Sequence, residues 1–146
     1  MYRALRCDKI IISMLESTLR TYRYDNHIEN DNLTFSLLTR DRKQINKLGK
    51  KILNNLDREI IKKYNIHLVN SKVQAGSGSL PIEDIESIAI KINSNTINPS
   101  KISLKFRQSI IPTIGYIKGK SFFIDLKAVP QNQINDLILS IKNCLI

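Results

Sequence analysis

Two arginines near the start of the sequence, Arg3 and Arg6, have the spacing that most directly suggests chemistry. If a helical turn includes them, side chains three residues apart lie on one face. Each guanidinium group can donate two parallel hydrogen bonds, so a pair suits a tetrahedral oxyanion or a carboxylate. The competing interpretation is an ordinary basic helix start on the surface. The spacing makes Arg3 and Arg6 candidate oxyanion-binding residues.

A second candidate is the glycine-rich segment 75–81, which reads Ala-Gly-Ser-Gly-Ser-Leu-Pro. Glycines let the backbone turn sharply and expose N–H groups, which can hold an anion or contact a neighbouring domain. The candidate contact residues are Gly76, Gly78 and Ser79. A flexible connection between two strands would explain the same composition, and the sequence leaves both interpretations open.

Other kinds of site find no support. Segment 115–121, Gly-Tyr-Ile-Lys-Gly-Lys-Ser, is one residue short of a phosphate-binding loop and lies between two predicted strands, which favours a hairpin turn. His27 and His67 are isolated from both cysteines, so no zinc pattern exists. Each lysine falls on a predicted exposed helix face, turn or strand edge, and none is a candidate for a Schiff base. We therefore expect no catalytic residue and no metal ligand here.

Hydrophobic periodicity places these residues on secondary structure. Apolar residues at spacings of three and four predict a helix over 8–23, and the polar segment 24–38 reads as a connector. Thr39 is the predicted cap of a second helix, which runs to about residue 64. The first helix has a strongly apolar stripe, and we expect part of it to be exposed, as where a larger domain is missing.

The pattern changes after residue 65. Alternation and β-branched residues predict strands at 67–73 and 88–92, with a helix at 99–108. A hairpin follows, with strands at 113–117 and 121–126, and Pro130 precedes a last helix at 131–145. Short antiparallel strands with helices packed on one face make an α+β fold.

Composition sets broader limits. A chain of 146 residues with 42% hydrophobic content is sufficient for one packed domain, and it contains no apolar run of membrane-spanning length. The net charge of +10 suits RNA or a phosphate-bearing ligand, although a general drift towards Lys, Asn and Ile explains it equally well. Aromatic content is 6%, and no basic-aromatic strip indicates a base-stacking platform. Two cysteines at opposite ends of the chain favour a reducing cytoplasm over a disulfide framework.

Several blocks together resemble one family. They are Arg3-Ala4-Leu5-Arg6 with Asp8-Lys9, then Leu15-Glu16 and Thr18-Leu19-Arg20, the loop Gly76-Ser77-Gly78-Ser79-Leu80-Pro81, and later Pro112-Thr113-Ile114-Gly115 and Asp125-Leu126. In order and spacing they resemble the C-terminal portion of bacterial selenocysteine synthase, the L-seryl-tRNA(Sec) selenium transferase. The resemblance runs along essentially the whole chain.

The resemblance implies the small C-terminal domain of an aspartate-aminotransferase-like (fold type I) pyridoxal-phosphate enzyme, at residues 39–146. Residues 1–38 would be a linking helix and connector that join it to a large domain outside the chain. The parent enzyme would convert seryl-tRNA(Sec) to selenocysteinyl-tRNA(Sec) with selenophosphate, as a cytoplasmic homo-oligomer. Arg3 and Arg6 would bind selenophosphate. The Schiff-base lysine would lie outside this segment, so the segment alone would bind no pyridoxal phosphate and be inactive.

Two other functions stay open at this point. The parent could be a related pyridoxal-phosphate-dependent ammonia-lyase that acts on a phosphorylated amino sugar acid, with the same arginines on the sugar phosphate. Alternatively, the chain could be a stand-alone basic module that binds RNA or another anion, which predicts a steep salt dependence of RNA affinity.

Overall fold

The structure, a computed structural model, describes residues 7–24, 28, 32–74 and 84–145. The chain divides into two compact units, residues 1–36 and 37–146. The helices are α1 (Lys9–Tyr24), α2 (Leu33–Thr39), α3 (Arg42–Asn54), α4 (Arg58–Lys63), α5 (Pro99–Gln108) and α6 (Ile134–Leu145), and the strands are β1 (His67–Val73), β2 (Ile85–Ile92), β3 (Tyr116–Lys118) and β4 (Ser121–Asp125). No helix among the described residues is both long and apolar enough to cross a bilayer.

The first unit contains α1, which lies within one residue of the predicted helix. None of its residues is buried, so the apolar stripe predicted to be partly exposed is exposed in the structure. An ion pair of 2.8 Å joins Glu16 to Arg20 one turn later, which supports the helix locally. Near its end, the Tyr22 ring meets Phe35 edge to face, with centroids 6.5 Å apart.

The single helix predicted over 39–64 is wrong in its start and its continuity. Thr39 ends α2, a helix that occupies the last part of the predicted connector, and Asp41 caps α3 instead. The Asp41 carboxylate accepts from the Gln44 N–H at 2.6 Å, while the Gln44 side chain accepts from the Asp41 N–H at 3.2 Å. This reciprocal capping box satisfies two backbone donors that a helix start leaves free. Helix α3 ends at Asn54, and a separate helix, α4, begins at Arg58.

The strands form one antiparallel sheet in the order β1-β2-β4-β3. Strand β1 matches its prediction, whereas β2 starts earlier than predicted, at Ile85. The predicted hairpin is confirmed with shorter strands, and its turn places Gly119 at a φ of +59°. That left-handed conformation favours glycine, so the near match to a phosphate-binding loop is a hairpin turn.

Alternate residues divide the sheet into two faces. The covered face carries the apolar side chains that join the hydrophobic core, which are Ile88, Ile90 and Ile92 of β2 with Phe122 and Ile124 of β4. The open face carries the residues between them, which are Ser87, Ala89 and Lys91 of β2 with Phe123 and Asp125 of β4. Because successive side chains of a strand point to opposite faces, the two sets are separated by the pleat alone.

Helices α3, α5 and α6 supply much of the remaining core. Helix α3 packs on β1 and β2, α5 packs on β3 and β4, and α6 packs on both helices. Apolar residues of 45–60 at helical spacing are buried, namely Ile45, Ile52, Leu56 and Ile60. In α6 the buried residues with the same kind of spacing include Ile134, Leu137, Ile138 and Ile141. The predicted α+β class is confirmed.

Candidate functional site

The residues predicted from sequence to hold an anion or make loop contacts lie outside the described part of the chain. They are Arg3, Arg6, Gly76, Gly78 and Ser79. Their roles therefore stay predictions. The described residues offer another candidate site, on the open face of the sheet.

Strand register builds a row of side chains across the open face. In spatial order the row is His67, Lys91, Phe123 and Tyr116, one residue from each strand. Side chains of directly paired residues in antiparallel strands project to the same face, about 5 Å from one another. We call these four residues the cross-sheet row. It places a cation, two aromatic rings and an imidazole next to each other.

The two aromatic rings of the row stack on each other, next to a close backbone approach at Gly115. The Tyr116 and Phe123 rings stack with centroids 5.2 Å apart and planes 8° from parallel. A Cβ at Gly115 would collide with the Phe123 carbonyl oxygen and the Phe122 ring, so this close approach requires glycine. Tyr116 nevertheless keeps 41% of its surface exposed on the edge strand.

The Tyr116 hydroxyl stays protonated well into the alkaline range. Burial, together with the nearby negative charge of Asp125, raises the pKa of Tyr116 above its usual 10.0. Both causes disfavour the phenolate. At neutral pH the site therefore presents a neutral aromatic ring with a hydroxyl that can donate a hydrogen bond.

Asp125 organises the middle of the open face. Its carboxylate accepts hydrogen bonds from the Ser71 hydroxyl at 2.6 Å and from the Ser87 hydroxyl on the neighbouring strand. It also accepts from the Lys127 backbone N–H at 3.0 Å, which caps the short 3₁₀ turn Leu126–Ala128. One carboxylate thus joins β1, β2, β4 and the turn. Its partners are fixed within the fold, which indicates a structural role.

Positive charge surrounds the aromatic pair. A groove of about 650 Å³ runs past the pair, and its charged lining residues are Arg42, Lys72, Glu86, Lys91 and Lys118. By strand register, Lys91 and Lys118 project to the open face, whereas Lys72 and Glu86 alternate with Ser71 and Ser87 and project to the other face. Lys72 is partly neutralised by Asp84 at 3.2 Å, and the Arg42 guanidinium donates to the Asn70 side chain at 2.6 Å. Lys118 lies on β3, the strand of Tyr116, and Lys91 lies on β2, where it pairs with Phe123 of β4. The groove is suited to a negatively charged ligand.

One lysine departs from the sequence-based expectation that all lysines are exposed. Lys127 keeps only 6% of its surface exposed, and its ammonium donates to the Arg40 carbonyl oxygen at 2.6 Å. The Arg40 guanidinium in turn donates to the Val129 carbonyl oxygen at 2.9 Å. Burial first, and then the positive charge of Arg40, lower the pKa of Lys127. These two reciprocal bonds fasten the chain before α3 to the turn after β4.

Sequence reasoning missed the cross-sheet row because its members are far apart along the chain. Tyr116 and Phe123 belong to the predicted hairpin, so their pairing was within reach of a register argument. Lys91 and His67 join them only through the β2–β4 and β1–β2 pairings, which no local pattern reveals. Within the described ranges, no group of three or more His, Cys, Asp or Glu side chains could hold a metal ion.

Comparison with known proteins places the chain in a family. The sequence profile described as L-seryl-tRNA selenium transferase matches residues 1–130. The L-seryl-tRNA(Sec) selenium transferase of Haemophilus influenzae (strain PittEE) is 34% identical over 128 residues, which cover 87% of this chain and 28% of the relative. The enzyme of that name from Haemophilus ducreyi is 32% identical over 130 residues, which cover 88% of this chain and 28% of the relative.

A more distant relative extends the match. The L-seryl-tRNA(Sec) selenium transferase of Geotalea uraniireducens is 26% identical over 140 residues, which cover 96% of this chain and 30% of the relative. The chain thus spans less than a third of the length of these curated relatives. Since the family profile covers most of its residues, the chain belongs to the L-seryl-tRNA selenium transferase family.

Proposed function

We propose that this chain is the C-terminal portion of an L-seryl-tRNA(Sec) selenium transferase, an enzyme that converts seryl-tRNA(Sec) to selenocysteinyl-tRNA(Sec) with selenophosphate. The observation that carries the proposal is the family match along residues 1–130. The names of the relatives favour this activity over an ammonia-lyase. The segment by itself is inactive, because the remaining two-thirds or more of the relatives' length has no counterpart in it.

In this proposal the parent enzyme has the aspartate-aminotransferase-like fold. It is a cytoplasmic homo-oligomer. Residues 39–146 form its small domain, and residues 1–38 link it to the large domain. Two features support this arrangement. One is the antiparallel sheet with its core on one face. The other is the exposed apolar stripe of α1, a surface that a further domain would bury.

Arg3 and Arg6 hold the selenium donor in this proposal. Selenophosphate is a small tetrahedral oxyanion, and two guanidinium groups can each donate a pair of hydrogen bonds to its oxygens. Gly76, Gly78 and Ser79 contribute loop contacts through backbone N–H groups. No residue of this segment acts as a nucleophile or general base in the proposed reaction.

The described residues do not fit pyridoxal phosphate. Every lysine of the sequence lies in the described part, and Lys127 alone is buried. A Schiff-base lysine needs a desolvated amine that a ligand can reach. The Lys127 amine instead donates to the Arg40 carbonyl oxygen, beneath a segment that would have to move before the cofactor could approach. This geometry supports the proposal that the cofactor is held by the part of the parent enzyme outside this chain.

Two measurements on the natural gene product test this proposal. The protein is isolated from its own cell, its intact mass is measured, and selenium transfer to purified seryl-tRNA(Sec) is assayed with selenophosphate. We expect a mass far above the 16.8 kDa of this chain, together with selenium transfer. A mass near 16.8 kDa, or a large product without transfer, would overturn the proposal.

The arginine pair has a matched control within the chain. Arg20 and Arg23 are also three residues apart, on the exposed surface of α1. In the natural gene product we expect Arg3→Ala with Arg6→Ala to weaken thiosulfate binding about 10- to 100-fold, the effect of losing charge-assisted hydrogen bonds. Arg20→Ala with Arg23→Ala should change the thiosulfate affinity by less than about twofold. If both double variants weaken thiosulfate binding equally, the assignment of Arg3 and Arg6 to the binding site is wrong.

A further inference from the structure

The cross-sheet row has no part in the chemistry proposed above, yet its residue types are those that bind unpaired nucleic acid. Such surfaces combine aromatic rings, on which bases stack, with cations that follow the phosphates. The row has both on one face: stacked Tyr116 and Phe123 rings, with Lys91 on the adjacent strand. Lys118 lies two residues beyond Tyr116 on the same strand and lines the same groove.

We propose that the open face of the sheet binds a single-stranded segment of RNA, with a base stacked on Tyr116 and phosphates at Lys91 and Lys118. Strand β3 is the edge of the sheet formed by the described residues, so one side of the Tyr116 ring stacks on Phe123 and no described strand flanks the other. The ring is 41% exposed, which leaves room for a base.

The geometry of the row fits one nucleotide and its neighbours. Lys91 and Tyr116 are separated by β4, so they lie two strand spacings apart, about 9–10 Å. This separation is comparable to the reach from a stacked base to the phosphate of an adjoining nucleotide. Unpaired RNA is favoured over a duplex because only an unstacked base presents its face to an aromatic ring.

The charge of the groove favours a nucleic acid over a protein segment. Four basic side chains against one acidic side chain line it. A neutral or apolar protein surface would bury Lys91 and Lys118 without a negative partner, which costs free energy. A phosphate backbone would neutralise them and release its counterions. Binding of a protein surface instead of RNA is an outcome that would overturn the proposal.

A single tryptophan can report on the stacking directly, because the natural sequence contains none. The variant Tyr116→Trp is titrated with a short unstructured RNA and, separately, with the same RNA annealed to its complement. We expect saturable quenching of tryptophan fluorescence by the single strand and at least tenfold weaker binding of the duplex. Absence of quenching, or equal binding of both forms, would overturn the proposal.

Substitutions separate stacking from charge. With a fluorescein-labelled single-stranded RNA, Tyr116→Leu should weaken binding about 5- to 100-fold, since it keeps apolar area but loses the ring. Tyr116→Phe should bind nearly as the natural chain does. Lys91→Gln with Lys118→Gln should reduce the slope of log affinity against log salt by about 1.4, because each phosphate contact contributes about 0.7 for single strands.

A charge-matched control is available on the helices. Lys47 and Lys101 are exposed on α3 and α5, so Lys47→Gln with Lys101→Gln removes the same charge elsewhere. We expect this pair to leave the salt slope nearly unchanged, and thermal unfolding of every variant verifies that it is folded. An equal loss in both lysine pairs would mean diffuse attraction and would overturn the assignment to the open face.

The inference is independent of the selenium chemistry. If the gene product transfers selenium but its RNA binding is unaffected by Tyr116→Leu, the open-face assignment alone fails. If the RNA binding depends on Tyr116 but the product has no transferase activity, the proposed enzyme fails and the RNA surface stands.

Discussion

The two faces of the sheet are made by alternate residues of the same strands, and they differ in almost every physical property. On the covered face, Phe122 is 0% exposed and stacks on Phe106 of α5, with ring centroids 5.2 Å apart. On the open face, the next residue, Phe123, is half-buried and stacks on Tyr116 at the same centroid distance. The same kind of contact therefore occurs once inside the core and once at the surface.

This difference indicates which face stabilises the fold and which is available for binding. Burial of apolar area is the dominant favourable term in folding, and the covered face provides it through contacts with α3, α5 and α6. The open face satisfies its buried polar groups internally through Asp125, and it keeps rings and cations accessible to a ligand. Substitutions on the two faces should therefore separate stability from binding.

The most direct test compares the neighbouring phenylalanines. Phe122→Ala should lower the free energy of unfolding by about 3–5 kcal/mol, because it leaves a cavity in the core. Phe123→Ala should cost only about 1–2 kcal/mol, chiefly the lost aromatic pair. Urea unfolding followed by circular dichroism measures both. Equal losses would mean that the open face is as much a part of the core as the covered face.

The next largest effect should come from Asp125. Asp125→Ala removes the acceptor from two serine hydroxyls and one backbone N–H, and we expect a loss of about 1–3 kcal/mol. Ser71→Ala and Ser87→Ala are the matched controls. Each should cost less, since each leaves the carboxylate with two of its three donors. If Asp125→Ala unfolds at the same urea concentration as the natural chain, the hydrogen bonds to Asp125 do not stabilise the fold.

Local sequence patterns predicted the elements whose signals are local. Strand β1 and helices α1 and α5 fall within a residue of their predicted bounds, since periodicity and proline position are short-range features. The predicted start of the second helix was wrong because Thr39 and Asp41 are both acceptable caps by residue type. Only Asp41 has a glutamine three residues later, which completes a capping box. That signal was in the sequence and would have found the correct start.

Properties of the candidate site that depend on pairing were not accessible from sequence. The expectation of no basic-aromatic surface rested on sequence neighbours, whereas Lys91 and Phe123 become neighbours through the β2–β4 register. Lys127 looked like an exposed turn lysine, because its partner Arg40 is far away in the chain. The predicted oxyanion residues Arg3 and Arg6 lie outside the described residues and stay predictions.

A smaller effect is expected from Lys127, the buried cation beside the open face. Lys127→Met should cost about 1 kcal/mol at neutral pH, because it removes the hydrogen bond to the Arg40 carbonyl oxygen. The folded-state pKa of Lys127 is lowered, so between that pKa and the unfolded value of 10.5 the unfolded chain binds more protons. Stability contributed by Lys127 therefore rises with pH in this window.

Urea unfolding of both chains across the alkaline range measures this pH dependence. The natural chain should gain stability relative to Lys127→Met as the pH rises towards 10.5. Lys105→Met, on the exposed surface of α5, is the control and should track the natural chain. A difference between natural and Lys127→Met chains that is independent of pH would contradict the lowered pKa.

The smallest effect should come from Lys91, at the centre of the cross-sheet row. Its neighbour Ile90 is fully buried on the covered face, and Ile90→Ala should cost about 2–5 kcal/mol. Lys91→Gln should change the free energy of unfolding by less than about 0.5 kcal/mol, because it replaces a partly exposed side chain and breaks no ion pair found among the described residues. A loss above about 1 kcal/mol would mean that Lys91 has a structural role, and its place in a binding surface would then need evidence other than loss of RNA affinity.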